Sequence, residues 1–382
     1  MTGETNHWVA PGPLTIQAVE TEALRVPLDK VYGGSHYSMR NRCTIITRIF
    51  TRQGVVGEVY TGDTDREQAD VLAIIHNELA PALLGMDVFN TEACWDAMLP
   101  ATYDILRDRG LVMQAISAVD TALWDTVGKA LGMPLYRLWG GGRDRLPMTA
   151  IGGYYGQTPD QLAREVSDYI GYGVIGMKFK IGGATPEEDL ERLKVAREVG
   201  GAQFTLMVDA NQGYDLPQAI RFVRLAREAG IELYWFEEPV RWYNDKRWLR
   251  DVRLAAGVPV TAGQSEYRID GVRDLVAGGS IDYCNFDCSW GGGPTIWRRV
   301  AALCSVFGVR MAHHEEAHIS SHLLGSVAGG GFVECFHRNR DPIFWNIQSS
   351  ERPLKDGYFA LSQKPGFGIE LDRAYVAKYR VG

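Results

Sequence analysis

The chain has 382 residues, 46% hydrophobic and 23% charged, with a net charge of −7 at pH 7. That is ordinary for a soluble globular protein and long enough for two domains or one large barrel with additions. The acidic balance argues against nucleic acid or an anionic membrane as main partner, and no apolar run approaches the length of a bilayer span.

The N-terminal MTGETNHWVAPGPL lacks the basic and apolar regions of a signal peptide. None of the six cysteines falls in a CxxC pair. Cys284 and Cys288 lie in a strand-like run, where their spacing would set them about 13 Å apart, so buried reduced thiols in a reducing, cytoplasmic compartment are expected.

Residues 14–60 alternate and carry β-branched side chains, with Arg52-Gln53-Gly54 as a turn, and predict extended segments. Between the first two lies a glycine-rich, aromatic and polar stretch, Val31 to Arg40, which reads as a mobile loop that could cover a site. Residues 65–131 are helical. In the 112–131 stretch Ala115, Val119, Ala122 and Leu123 share a face, and its acidic residues, read alone, fit a solvated face. Leu138-Trp139-Gly140-Gly141-Gly142 marks a boundary.

From 147 a strand–helix unit repeats. Strands are predicted at 147–155, 174–182, 204–211, 231–239, 259–266, 283–289, 309–316 and 332–336, with amphipathic helices between most of them, such as 186–199 and 217–229. Thr185-Pro186-Glu187-Glu188 reads as an N-cap, a proline at the first helical position and a capping-box Glu. Continuous apolar strands alternating with helices imply parallel strands buried on both faces, and eight such units fit a (β/α)8 TIM barrel.

Barrel active sites lie at the C-terminal ends of the strands. Here the second strand ends in Lys178 and Lys180, which alternation places on one face. The third ends in Asp209-Ala210-Asn211, the fourth in Glu237-Glu238-Pro239 and the fifth in Gln264-Ser265-Glu266. The sixth carries Asp287, the seventh His313-His314, and the eighth Glu334. Any one could be a helix cap or a surface ion pair, but the series converges on one barrel mouth. Carboxylates and an amide favour a hard cation, Mg²⁺ before Zn²⁺, with Asp209 and Glu237 as first ligands. Alternation turns Glu238 to the opposite face.

These motifs together, with the helix AISAVDTALWDTVGKALGMPLYRLWGG, resemble the enolase superfamily, mandelate racemase subgroup, over nearly the whole chain. The resemblance implies an N-terminal α+β capping domain (1–142) whose segment 31–42 is a specificity lid, a catalytic barrel (143–349) and a C-terminal segment (350–382) returning to the cap. It implies that Lys180 is a base, that Lys178 touches the substrate carboxylate and lowers the pKa of Lys180, and that His314, paired with Asp287, acts on the opposite face. Glu334 would hydrogen-bond the substrate carboxylate. The third metal ligand is Gln264 by register, or Glu266 by alternation.

The chemistry implied is Mg²⁺-assisted removal of the proton alpha to a carboxylate. Loss of a β-hydroxyl then gives dehydration, and reprotonation from the other side gives racemisation or epimerisation. His36, Tyr37 and Arg40 in the lid, with Tyr60, Tyr154 and Tyr155, suit a polyol acid, and Asn211 is a further substrate contact. His318 either joins the pocket or belongs to the next helix. The expected enzyme is an acid-sugar dehydratase acting on an aldonate or aldarate, with a homo-oligomeric assembly expected. A non-catalytic binding homologue is the alternative from another class.

Overall fold

The computed structural model describes residues 12–62, 65–241, 246–349 and 354–381. Residues 1–11, which hold most of the segment read for a signal peptide, and the start of the C-terminal segment at 350–353 lie outside these ranges.

Three antiparallel strands, β1 (Ile16–Gly33), β2 (Ser38–Thr51) and β3 (Val56–Thr61), form the first sheet. The segment at 31–42 is not a loose loop. β1 and β2 extend into it, pairing Tyr32 with Met39 and Gly33 with Ser38 beyond an irregularity after Pro27. Only its tip leaves the ladder, and that tip docks on the barrel. Ser35 donates to the Ala210 carbonyl at 2.7 Å, and the Tyr155 N–H donates to Gly33 at 3.0 Å.

The helix Arg109–Ala130 packs against this sheet and against the barrel helix Gly293–Val306. Being covered on two sides, it has no solvated acidic face. Asp120 and Asp125 are fully buried. Asp120 accepts from the N–H (2.9 Å) and hydroxyl (2.8 Å) of Thr295, and Asp125 accepts from the N–H groups of Glu58 (2.8 Å) and Phe367 (2.9 Å). Each buried carboxylate thus stitches a second element to the helix, which is how burial of such groups is tolerated.

Eight parallel strands follow: β4 (Arg145–Gly152), β5 (Gly176–Lys180), β6 (Thr205–Asp209), β7 (Phe236–Glu237), β8 (Val260–Ala262), β9 (Tyr283–Cys284), β10 (Arg310–Met311) and β11 (Val333–Phe336). They pair in order from β4 to β10, and β11 pairs with β4. A bridge between Met311 and Gly330 closes the ring. The fold is therefore a TIM barrel with a capping domain. The strands are shorter than the apolar runs suggest, because the residues beyond each strand leave the ladder to build the mouth. The capping box at Thr185 forms, with Thr185 Oγ1 accepting from Glu188 N and Glu188 Oε2 from Thr185 N. All six cysteines are buried and free.

After the barrel, β12 (Leu354–Lys355) and β13 (Tyr358–Ala360) form a hairpin, and β13 runs antiparallel to β4. The chain then crosses to the first sheet. Arg373 pairs with Glu58 at 2.6 Å, and the Val381 N–H donates to the Ala23 carbonyl at 2.8 Å.

Candidate active site

The strand ends build a charged cluster. Lys178 Nζ lies 2.6 Å from Glu237 Oε1, 2.5 Å from Glu334 Oε1 and 3.9 Å from Asp209 Oδ2. Lys180 Nζ donates to Asp209 Oδ2 at 2.6 Å and to Asn211 Oδ1 at 3.0 Å. Glu334 Oε2 accepts from the Glu315 N–H at 2.7 Å. Lys178, Asp209 and Glu237 are fully buried. Burial by itself pushes both lysines down in pKa, but the carboxylates outweigh it, Glu237 first for Lys178 and Asp209 first for Lys180. Both are held above the ordinary lysine value, which reverses the expectation that the neighbouring ammonium would lower Lys180. At Lys178 the charges of Glu237, Glu334 and Asp209 each outweigh that of Lys180.

The second half of the site comes from β9 and β10. His314 Nδ1 is 2.8 Å from Asp287 Oδ2, and Ser289 donates to Asp287 Oδ1 through both its N–H and its hydroxyl at 2.7 Å. Burial lowers the His314 pKa, but the hydrogen bond to Asp287 and the Glu315 charge outweigh it and raise it to about 9. Its neighbour His313 is spent on structure. Nδ1 meets the His314 carbonyl at 2.7 Å and Nε2 accepts from the Cys288 N–H at 3.2 Å, so it offers no lone pair to a metal.

Together these elements line a cavity of about 370 Å³ beneath the turn between β1 and β2, with His36 and Tyr37 in its lining. Lys178, Lys180, Asn211, Gln264, His314 and Glu334 are in its wall. Tyr37 adds its ring 5.6 Å from Lys180 Nζ. A larger hollow of about 850 Å³ lies between the first sheet and the C-terminal segment. Its charges are already matched, as in Arg48–Glu58 and Lys364–Glu370, so volume is not what marks the site.

Four candidate residues lie away from the cavity wall. Glu266 is ion-paired to Lys246 and takes no part in the cavity wall, because β8 stops at Ala262 and Gly263 turns at φ 139°, ending the alternation. Arg40 is exposed outside the wall. Tyr60 is buried against the barrel, stacked on His318 at 3.9 Å, and binds Gln348 rather than facing the cavity. Tyr154 sits behind the wall, where its hydroxyl accepts from Arg340 Nε at 3.1 Å.

Conversely, Glu238 faces the cavity, accepting from Ser265 Oγ at 2.6 Å, because φ 38° turns it inward just past the end of β7. Asn211, Gln212, Glu315 and Glu316 also have positive φ, at the ends of β6 and β10. Such backbone outliers in non-glycine residues cluster at working sites. Glu315 and Arg340 were missed as cavity residues. Glu315 sits in the readable HHEE run, but nothing around Arg340 in the sequence signals it.

The donor set fits a hard divalent cation. Glu237 Oε2 is buried with no hydrogen-bond partner among the described residues, and burial pushes this carboxyl up to about 8. Gln264 Oε1 accepts one bond, from Asn285 Nδ2 at 2.9 Å, and keeps a second lone pair. Asp209, Glu237 and Gln264 thus offer oxygens from three adjacent strands.

Two family models cover the chain: residues 18–140 match the mandelate racemase/muconate lactonizing enzyme N-terminal domain, and residues 161–375 match the enolase C-terminal domain-like family. The chain belongs to the enolase superfamily, in its mandelate racemase subgroup. It is similar to an arabinonate dehydratase of Saccharolobus solfataricus, 30% identical over 88% of this chain and 90% of that one. It is also similar to a 3,6-anhydro-alpha-L-galactonate cycloisomerase of Streptomyces coelicolor, 29% identical over 96% of this chain and all of the other. A solved mandelate racemase/muconate lactonizing enzyme from a marine actinobacterium, in complex with magnesium, superposes with a TM-score of 0.90. It is 47% identical over 97% of this chain and all of that one. In this superfamily frame no described helix is long and apolar enough to cross a membrane.

Proposed function

We propose that this protein is a Mg²⁺-dependent sugar-acid dehydratase, which removes the proton alpha to the carboxylate and eliminates a β-hydroxyl to give a 2-keto-3-deoxy acid. The observation that carries the reading is one cavity lined by both Lys180 and His314, with Asp287 hydrogen-bonded behind the His314 ring, beside an all-oxygen cation set. The sugar-acid class is supported by the relatives named above.

Asp209, Glu237 and Gln264 hold the cation. When bound, Mg²⁺ supplies a Lewis acid for the substrate carboxylate and a charge that offsets the carboxylates keeping Lys180 protonated. Lys178 donates to the substrate carboxylate, where negative charge grows as the proton leaves, and Glu334 holds the Lys178 ammonium in place. Lys180 takes that proton. His314 enters as imidazolium at neutral pH, because Asp287 and Glu315 hold its proton, and gives it to the departing hydroxyl. Lid residues His36 and Tyr37 close over the substrate chain.

The test is a panel of acid sugars with Mg²⁺, scored for 2-keto-3-deoxy product. A racemase or epimerase is the second reading, favoured by acid–base groups on two different strands. α-Proton exchange in D₂O without product across the panel would select it. Binding without exchange or product would leave a non-catalytic homologue.

A further inference from the structure

One stretch of the cavity wall is built by Arg340 and Glu315, neither of which touches the reacting atoms in the mechanism above. Arg42 on β2 places Nη2 3.0 Å from Glu315 Oε2 and Nε 3.3 Å from Asp341 Oδ1. Arg340, 2% exposed, donates from Nε to Tyr154 and reaches Glu315 Oε1 from Nη2 at only 3.5 Å, with the Phe336 ring 4.4 Å from its guanidinium. Its third nitrogen, Nη1, is buried with no partner among the described residues. Two guanidiniums and two carboxylates cancel in charge. Of the four side chains, only Arg340 and Glu315 reach the cavity wall, and Glu315 Oε1 lies 3.7 Å from His314 Nε2.

We infer that Arg340 and Glu315 form the subsite for the hydroxyls of the substrate chain, and that they select acids with one carboxylate over acids with a second carboxylate at the far end. The inference rests on the sugar-acid reading above and narrows it to aldonates. A buried guanidinium N–H without an acceptor is costly, and because Arg340 lines the cavity a ligand oxygen there would relieve that cost. A loosely coupled donor–acceptor pair suits a hydroxyl, which accepts from Arg340 and donates to Glu315 at once. A carboxylate can only accept, and it brings its charge beside that of Glu315 in a site shielded from water. Burial pushes the Glu315 carboxyl up, but Arg42, His314 and Arg340 outweigh this and hold it at about 2, so it is ionised at any working pH. The charge on Arg340 does not rescue a dicarboxylate, because Glu315 already offsets it.

The experiment uses the full chain with Mg²⁺ and matched pairs of acids: gluconate with glucarate, galactonate with galactarate, mannonate with mannarate. Calorimetric Kd is measured alongside kcat/KM, so that binding is read without turnover. For the best-binding pair, the wild-type protein should prefer the monocarboxylate by roughly 10- to 100-fold, the scale of one like-charge contact in a partly buried site. Glu315→Gln should shrink or invert that ratio. Equal or tighter binding of the dicarboxylates by the wild type overturns the inference, and so does an unchanged ratio in folded E315Q. If E315Q fails to fold, the wild-type ratio decides alone. Monocarboxylate preference in binding with no turnover would sink the dehydratase reading and leave this subsite standing. Absence of binding by every acid would remove both.

Discussion

Replacing Asp287 by Asn should move the alkaline limb of the pH profile. The His314 pKa stands at about 9, against an ordinary 6.5, although the ring is buried. At 1.36 kcal/mol per unit, that difference is worth about 3 kcal/mol in favour of the imidazolium. Asp287 contributes through both its hydrogen bond and its charge, with Glu315 and Glu334 supplying the rest. Removing its charge should therefore lower His314 by roughly one to two units. Geometry adds to the effect. Both Ser289 donors claim the Asp287 Oδ1 position, so the new amide turns its NH₂ towards His314 Nδ1 and disfavours a proton there. The assay is kcat/KM for dehydration between about pH 6 and 10, with an NMR titration of the His314 ring. The alkaline limb should fall from near 9 towards 7 or 8. Linkage gives a second readout of the same group. Because its folded pKa is raised, the stability it contributes is complete below pH 6.5 and disappears as pH rises through about 9. The wild type should lose up to about 3 kcal/mol over that window, and Asp287→Asn much less. An unchanged limb together with an unchanged ring titration would refute the reasoning.

Lys180→Ala should lower dehydration at least ~10³-fold while leaving exchange of any α-proton presented to His314, read by NMR in D₂O above about pH 9, where that ring is neutral. Loss of exchange on both faces would mean that Lys180 is not a one-sided base. Chelation should abolish activity and Mg²⁺ should restore it. Gln264→Ala should raise the Mg²⁺ concentration needed by ~10-fold or more, whereas Glu266→Ala should leave it unchanged, and a titration of activity against Mg²⁺ separates the two. Thr185→Ala removes an exposed capping box and should cost about 1 kcal/mol in denaturant unfolding with kinetics intact.

The sequence alone determined the barrel, because eight apolar runs alternating with capped amphipathic helices leave few other ways to bury both faces of a sheet. It also pointed to the ionisable groups that meet at the mouth, since Lys178, Asp209, Glu237, Asp287, His314 and Glu334 each lie on a barrel strand or just beyond its end, where strand direction fixes the side of the barrel. The structure alone decided the residues just past those ends. Period-two alternation holds only while the ladder lasts. Where positive φ or a glycine turn takes over, Glu238 swings into the cavity, Glu266 swings out to Lys246, and Glu315 comes to stand beside His314. Contacts between distant segments are likewise silent in the sequence: Tyr60 against His318, Asp120 against Thr295, Arg42 and Arg340 against one carboxylate. Each is a pairing of groups more than a hundred residues apart or on different elements, and only the packing of cap, barrel and C-terminal segment brings them within reach.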